Sequence, residues 1–243
     1  MHKFISGVLS ILFYFFFGLF LLVFHGIQVI ALKVFGLKAQ EKVVAILNFF
    51  LLKCTYLLIG SSGFKCNYSL PTDAPLIVVS NHQSMFDIPL FAWYLRKFNP
   101  KYISKKELGK GIPSISYNLR NGGSVLIDRK NKRQALPAIS KFGKQINEKK
   151  GMAVIFPEGT RSKTGAPKKF AETGLKILTK QMPNGYVVPA TINNSWKLAK
   201  YGNFPVGAFH KITLEVHEPI AINSCTFKAL LEKTERQVIA SIK

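Results

Sequence analysis

The sequence predicts an α/β fold whose sheet is parallel at least in part, preceded by an apolar N-terminal element built for a membrane. Short apolar runs rich in β-branched residues (Pro75–Ser80, Ser124–Ile127, Met152–Phe156, Tyr186–Ile192) alternate with stretches of helical period, as in βα units. Several of these runs end in polar residues capable of chemistry, which open α/β sheets gather along one edge. The membrane element rests on the uncharged stretch from Phe4 to Phe24, long enough to cross a hydrocarbon core of ~30 Å.

Apolar character continues from Phe24 to Leu32, and a second apolar run from Val43 to Ile59 is interrupted by Asn48 and Lys53. That second run is at the short limit for a span and suits one leaflet as well as a crossing. The first run is too long for the apolar region of a signal peptide, and no small-residue cleavage site precedes the second, so both are expected to be retained. Gly60-Ser61-Ser62-Gly63 reads as a break. The expected organisation is therefore a membrane-anchoring two-helix segment over 1–60 and an α/β domain over 61–243.

Within that domain Phe64–Asn67 reads as a short edge element, and Pro71–Pro75 as a turn leading into the first buried strand. Lys101–Ser104 suits a short strand, followed by Lys105-Lys106-Glu107-Leu108 and a Gly/Pro-punctuated stretch to Asn121. Residues 131–149 are helical by the spacing of Leu136, Ile139, Phe142 and Ile146. A helix over Ala171–Gln181, a strand over Lys211–Val216 and a closing amphipathic helix over Thr226–Ile242 complete the pattern.

His82 falls just past the strand Pro75–Ser80, and Asp87 follows five residues later, before Ile88–Leu95. On one continuous helix that spacing would separate them, so they meet only if the chain turns between them and starts a helix near Asp87. Two readings stand here. Asp87 is an ordinary N-cap beside a loop histidine, or it holds the imidazole of a general base as in a triad without its serine. An isolated His-x-x-x-x-Asp occurs in many unrelated chains, so on this stretch alone the first reading stands ahead.

A formal charge of +22, from 34 Lys and Arg against 12 Asp and Glu, calls for an anionic partner. Zinc-finger spacing, arginine-rich tracts and basic-aromatic RNA motifs are missing, so nucleic acid is not expected. Cys54, Cys66 and Cys225 are scattered and odd in number, which indicates neither a disulfide framework nor a zinc site.

Four blocks then resemble the 1-acylglycerol-3-phosphate O-acyltransferases of the glycerolipid acyltransferase family. Asn81, His82 and Asp87 match Asn-His-x-x-x-x-Asp, and Gly123 to Arg129 match Gly-x-x-apolar-Ile-x-Arg with Leu126 where an aromatic is common. Phe156 to Ser162 match Phe-Pro-Glu-Gly-Thr-Arg-Ser throughout, and Val187-Val188-Pro189 match the apolar pair before proline. Lys105–Leu108 is similar to the family's lysine block. Four blocks in this order move the general-base reading of His82 ahead of the N-cap one.

The resemblance implies a mixed, partly parallel sheet, and an acyltransferase domain over 61–243. It implies transfer of an acyl group from acyl-CoA or acyl carrier protein to the sn-2 hydroxyl of lysophosphatidic acid, giving phosphatidic acid. His82 would be the base and Asp87 its orienting partner. Lys105, Arg129 and Arg161 would hold the phosphate, and Glu158 and Gly159 would shape the acceptor site. A thioester is already activated, so no metal or other cofactor is required. No Gly-x-Ser-x-Gly elbow is present, which favours direct attack over an acyl-serine intermediate. Among bacterial members the setting is the inner membrane, with the active site facing the cytoplasm. The same residues would serve another lysophospholipid or glycerol 3-phosphate as acceptor. A non-catalytic lipid-binding protein of the same fold would have no use for the His82–Asp87 pair.

Overall fold

The computed structural model describes residues 2–243. The chain opens with a long helix α1 (His2–Phe35), a turn at Gly36 and a second helix α2 (Leu37–Cys54), which ends in a 3₁₀ turn over Thr55–Leu58. Strands β1 (Ser61–Cys66) and β2 (Leu76–Ser80) precede α3 (Asp87–Tyr94), and β3 (Lys101–Lys105) precedes α4 (Ile115–Asn121). Then come β4 (Val125–Ile127), α5 (Lys132–Glu148), β5 (Met152–Ile155), α6 (Glu172–Gln181) and β6 (Tyr186–Asn193). Strands β7 (Lys211–Val216) and β8 (Ile220–Ala221) and helix α7 (Phe227–Ala240) close the chain.

The strands form one mixed sheet in the order β1-β7-β6-β2-β5-β3-β4, with β8 added to β6. β6, β2, β5, β3 and β4 all run parallel, whereas β7 is antiparallel to β6 and β1 pairs parallel with β7. The central strand β2 is buried at every position. Its Leu76 and Val78 face the layer holding α3 and part of α1, and its Ile77 and Val79 face α5, α6 and α7. Burial on both faces explains why this strand reads as a continuous apolar run.

The N-terminal helices differ from each other. α1 alone, among the described residues, is long and apolar enough to cross a membrane. The second apolar run does not supply another such helix, because α2 opens on Lys38, Glu41 and Lys42, carries Lys53 and ends at Cys54, short of the end of that run. Part of its apolar side is also occupied by protein. Leu47 and Leu51 pack with Leu21 of α1, Phe49 lies 4.6 Å from the Trp93 ring of α3, and Leu52 and Cys54 join the core on that face of the sheet. α1 also packs on the domain, burying Phe13 completely beside Phe86.

Two further expectations are corrected. Ser61–Gly63 are part of edge strand β1, and the Gly/Pro-punctuated stretch contains α4.

Candidate active site

All five parallel strands deliver a residue to the same edge of the sheet. His82 follows β2, Lys105 ends β3, Arg129 follows β4, Glu158 follows β5, and Ser195 follows β6. Parallel pairing makes this inevitable, since carboxyl ends of parallel strands lie side by side.

His82 and Asp87 meet through a turn at Gln83–Phe86. His82 Nδ1 donates to Asp87 Oδ2 at 2.7 Å, which leaves Nε2 as the ring's free nitrogen. Asp87 is the first residue of α3 but does not cap it; Phe86 occupies the cap position and supplies no side-chain bond. The carboxylate turns back instead, accepting Gln83 N at 2.7 Å and Ser84 N at 3.0 Å on the same Oδ2. Its Oδ1 accepts the Ser195 hydroxyl and the Ser84 hydroxyl, the latter at 3.4 Å. The Asp87 side chain is 0% exposed, and a charge so buried needs this many donors.

The imidazole is fixed by more than Asp87. Its ring stacks on Phe156 with centroids 4.2 Å apart, and Phe156 in turn meets Phe91 of α3 edge-on at 5.8 Å. The His82 carbonyl accepts Ser162 N at 2.7 Å, tying the histidine loop to the loop after β5. Asn81 bridges to β6 through Ile192 N and O at 2.8 and 2.9 Å. Gln83 Oε1 accepts Ser195 N at 3.0 Å. With its side chain 12% exposed, His82 keeps an accessible edge in an otherwise rigid setting.

Ser195 and Gln83 are site residues that the sequence did not single out. A signal for Ser195 existed, because it lies two positions past the end of β6, as His82 lies past β2. Nothing in the sequence marks Gln83.

The cationic residues are placed unequally. Arg129 is exposed but engaged, donating through Nη1 to the Gly159 carbonyl and bracing the loop after β5. Partial desolvation, and then the nearby Arg161 charge, hold its guanidinium below the usual arginine range. Arg161 is exposed and lines the wall of a large cavity. Lys105 is exposed at the end of β3, while its neighbour Lys106 pairs with Asp128 at 2.5 Å. Gly159, whose carbonyl accepts from Arg129, adopts a φ of 71°, a backbone conformation that other residues resist.

Glu158 is the unusual carboxyl of the site. Both oxygens are buried and make no well-formed hydrogen bond, the backbone amides of His82 and Lys168 being the donors that face them. Burial pushes its pKa up to about 7.

The cavity that Arg161 borders has a volume of about 890 Å³ and lies between α1, α2, α3, β3 and α4. Phe17, Leu21, Leu47, Ile88, Trp93 and Leu108 give it a mostly apolar lining. Met85, within the His82–Asp87 turn, lies at the same wall as Arg161. The Lys101–Glu41 pair, 2.9 Å apart, also borders the cavity.

This geometry joins a held imidazole, exposed cationic groups and an apolar chamber sized for a lipid chain. A family model described as Acyltransferase matches residues 65–193, more than half of the chain. A 1-acyl-sn-glycerol-3-phosphate acyltransferase of Helicobacter pylori (strain J99 / ATCC 700824) is 31% identical over 193 residues, covering 76% of this chain and 77% of that protein. The protein of that name from Saccharomyces cerevisiae (strain ATCC 204508 / S288c) is 27% identical over 70% of this chain, and the match spans only 56% of its length. The crystal structure of the 1-acyl-sn-glycerophosphate (LPA) acyltransferase PlsC from Thermotoga maritima superposes with a TM-score of 0.82 at 25% identity, covering 99% of this chain and 95% of that one. The site and the matched span agree, and the chain belongs to the acyltransferase family.

Proposed function

We propose that this protein is a 1-acylglycerol-3-phosphate O-acyltransferase, transferring an acyl group from acyl-CoA or acyl carrier protein to the sn-2 hydroxyl of lysophosphatidic acid. The observation that carries the reading is the His82–Asp87 pair, held by Ser195 and two backbone amides, beside an apolar cavity bordered by Arg161. The names of the relatives support the same reaction.

In this mechanism Asp87 keeps the proton on Nδ1, so Nε2 is free to accept one. Nε2 takes the proton of the sn-2 hydroxyl as its oxygen attacks the thioester carbonyl carbon. The tetrahedral intermediate then collapses, the carbon–sulfur bond breaks, and the imidazolium returns the proton to the departing thiolate. The products are phosphatidic acid and the free thiol. Arg161 and Lys105 would face the acceptor's phosphate, and an arginine fork suits that anion. Arg129 would act partly by orienting Gly159, to whose carbonyl it is already bonded. The buried Glu158 carboxyl would shape the acceptor site from beneath its surface, with Gly159 beside it, and the apolar cavity would take an acyl chain. These steps ask no cofactor of the protein.

We further infer that residues 1–60 hold the protein in one leaflet of a membrane. α1 meets the domain from Ser6, bonded to Ala208 N, to His25, bonded to Ser114 N. That interval is ~28 Å of helix. A crossing α1 would carry those loops into hydrocarbon, where their polar backbone is costly. An α1 lying in the plane buries its free face in lipid and leaves the site within reach of lipid substrates. For a bacterial cell this fits the cytoplasmic face of the inner membrane, where the acyl donors are made.

An acyl-transfer assay on purified protein tests the reading, with lysophosphatidic acid, other lysophospholipids and glycerol 3-phosphate as acceptors and both donor types. Preference for lysophosphatidic acid is expected. Turnover of another acceptor at a higher kcat/KM would overturn the substrate assignment and leave the acyltransferase intact.

A further inference from the structure

The 3₁₀ turn that begins with Ser195 runs on into an ordered loop, 200–210, whose aromatic side chains point away from the domain. Phe204 is 55% exposed and Phe209 43%. Loose loops often expose such residues, but this one is fixed at four points. Val206 N donates to Ser10 Oγ at 2.8 Å, and Ala208 N donates to Ser6 Oγ at 3.3 Å. Gly207 N donates to Leu198 O at 2.8 Å, and Phe209 N to Leu58 O at 2.9 Å. A Cβ on Gly207 would stand 2.0 Å from the Lys197 carbonyl, so the loop fits only with glycine there. Ordered and exposed large apolar groups in a patch need a partner.

The neighbours of the patch say which partner. Phe204 stacks on Tyr14 of α1 with centroids 6.5 Å apart, and Phe209 meets His2 edge-on at 5.9 Å. At 100° per residue Tyr14 and His2 fall on opposite edges of the buried stripe marked by Ser6, Ser10 and Phe13. The loop therefore flanks α1 on both sides and widens its exposed face of Phe4, Val8, Ile11 and Phe15. Ile59, 62% exposed, and Tyr56 continue the patch beyond Phe209. Around it stand cations: Lys3 and Lys200 over the Tyr201 ring, Lys197 over Trp196, and Lys53 over Tyr56. Aromatic residues inside a ring of lysines match the headgroup boundary of an anionic leaflet. Together with α1 the patch is too broad for a single helix to account for it.

We propose that the 200–210 loop, with Tyr56 and Ile59, is a second membrane contact that inserts Phe204 and Phe209 into an anionic leaflet beside α1. This rests on the in-plane reading of α1 given above. The consequence is geometric. One helix on a surface can roll about its axis, whereas contacts on both flanks fix the roll. The chain that makes them is the one that supplies Ser195 to Asp87, so the catalytic pair is held at a set tilt to the bilayer.

The test uses full-length protein on vesicles of phosphatidylcholine mixed with phosphatidylglycerol, in ordinary and brominated-chain forms. Phe204→Trp and Phe209→Trp are read against wild type, which carries Trp93 and Trp196, and against Ile239→Trp. Ile239 is exposed on α7, across the sheet from α1. The added fluorescence of both loop variants is expected to shift to shorter wavelength and to be quenched by brominated chains, while that of Ile239→Trp is not. Exchanging Lys197 and Lys200 for glutamine should lower the preference for anionic over neutral vesicles by roughly thirtyfold. Protein that sediments with vesicles while both loop tryptophans stay unquenched would overturn the second contact and leave the α1 reading standing. Failure to sediment at all would overturn both. A blue shift in detergent alone that grows with protein concentration would show that a second copy of the chain, and not lipid, covers the patch.

Discussion

The hydroxyl of Ser195 donates to Asp87 Oδ1 across 108 positions of sequence, while His82 Nδ1 holds Oδ2 at 2.7 Å. The carboxylate is thus gripped from both sides, by the turn it starts from and by the chain after β6. A short motif read as His-x-x-x-x-Asp is, in three dimensions, a group with at least five donors.

Ser195→Ala removes one of them. A hydrogen bond to a charged group is worth ~1.5–3 kcal/mol, or roughly ten- to a hundredfold if it acts through orientation of the base. The expected result is a fall of that order in kcat with KM for both substrates little changed, because Ser195 meets Asp87 and not the substrate. A rise in KM at constant kcat would place Ser195 in a binding role instead.

Glu158 links stability to pH. Its folded-state pKa of about 7 lies above its ordinary carboxyl value, so between the two the native state holds a proton that the unfolded state has lost. The group's contribution is most favourable at acidic pH and declines as pH rises toward 7. Glu158→Gln should therefore gain thermal stability relative to wild type as pH is raised from about 5 to about 8, a trend thermal melts would read directly. A difference that does not change with pH would show that the carboxyl is ionised throughout.

Arg161 separates phosphate recognition from chemistry. Arg161→Ala should lower kcat/KM for lysophosphatidic acid by roughly ten- to a hundredfold. It should cost much less with 1-monoacylglycerol, which lacks the phosphate. Equal fractional losses on the two acceptors would remove Arg161 from phosphate binding. Since Arg129 is bonded to Gly159, Arg129→Ala is expected to damage both reactions.

Removal of residues 1–59 strips Phe13, Leu52, Cys54 and Leu58 from the core. Burial of each large apolar side chain is worth ~1.5–3 kcal/mol, and whole domains are stable by only ~5–15 kcal/mol. The remainder should fail to show a cooperative thermal transition. A soluble, cooperatively melting fragment would show that α1 and α2 are accessories to a self-sufficient domain.

What was legible in the sequence was the part governed by local pattern. The buried strands at Leu76, Met152 and Tyr186 were readable because both faces are covered, the half-buried edge strand at Val125 because its residues are apolar and mostly β-branched, and their polar ends follow from parallel pairing. α4 was hidden because Ser114 starts it at a φ of 60° and is held by Leu21 O of α1, a contact no local pattern encodes. β1 was partly hidden because its Ser61–Gly63 half owes its strand state to pairing with β7 at the sheet edge. The apolar run Val43–Ile59 had the composition of a membrane segment, yet much of it covers α1 and α3. Asp87 had the position of an N-cap, and only the turn at Gln83–Ser84 shows that its carboxylate faces inward. Ser195 required knowledge that β6 lies next to β2.

The role of His82 as the base of acyl transfer is tested most directly by single-turnover transfer to lysophosphatidic acid with His82→Ala. The variant should remain folded and membrane-bound, since the imidazole's hydrogen bond is one of several on Asp87 and its ring only stacks on Phe156. Its rate should fall by ~10²–10⁴-fold, the contribution of a positioned general base, with Asp87→Asn losing much of the same rate. A folded His82→Ala protein that keeps more than about a tenth of the wild-type rate would contradict that role.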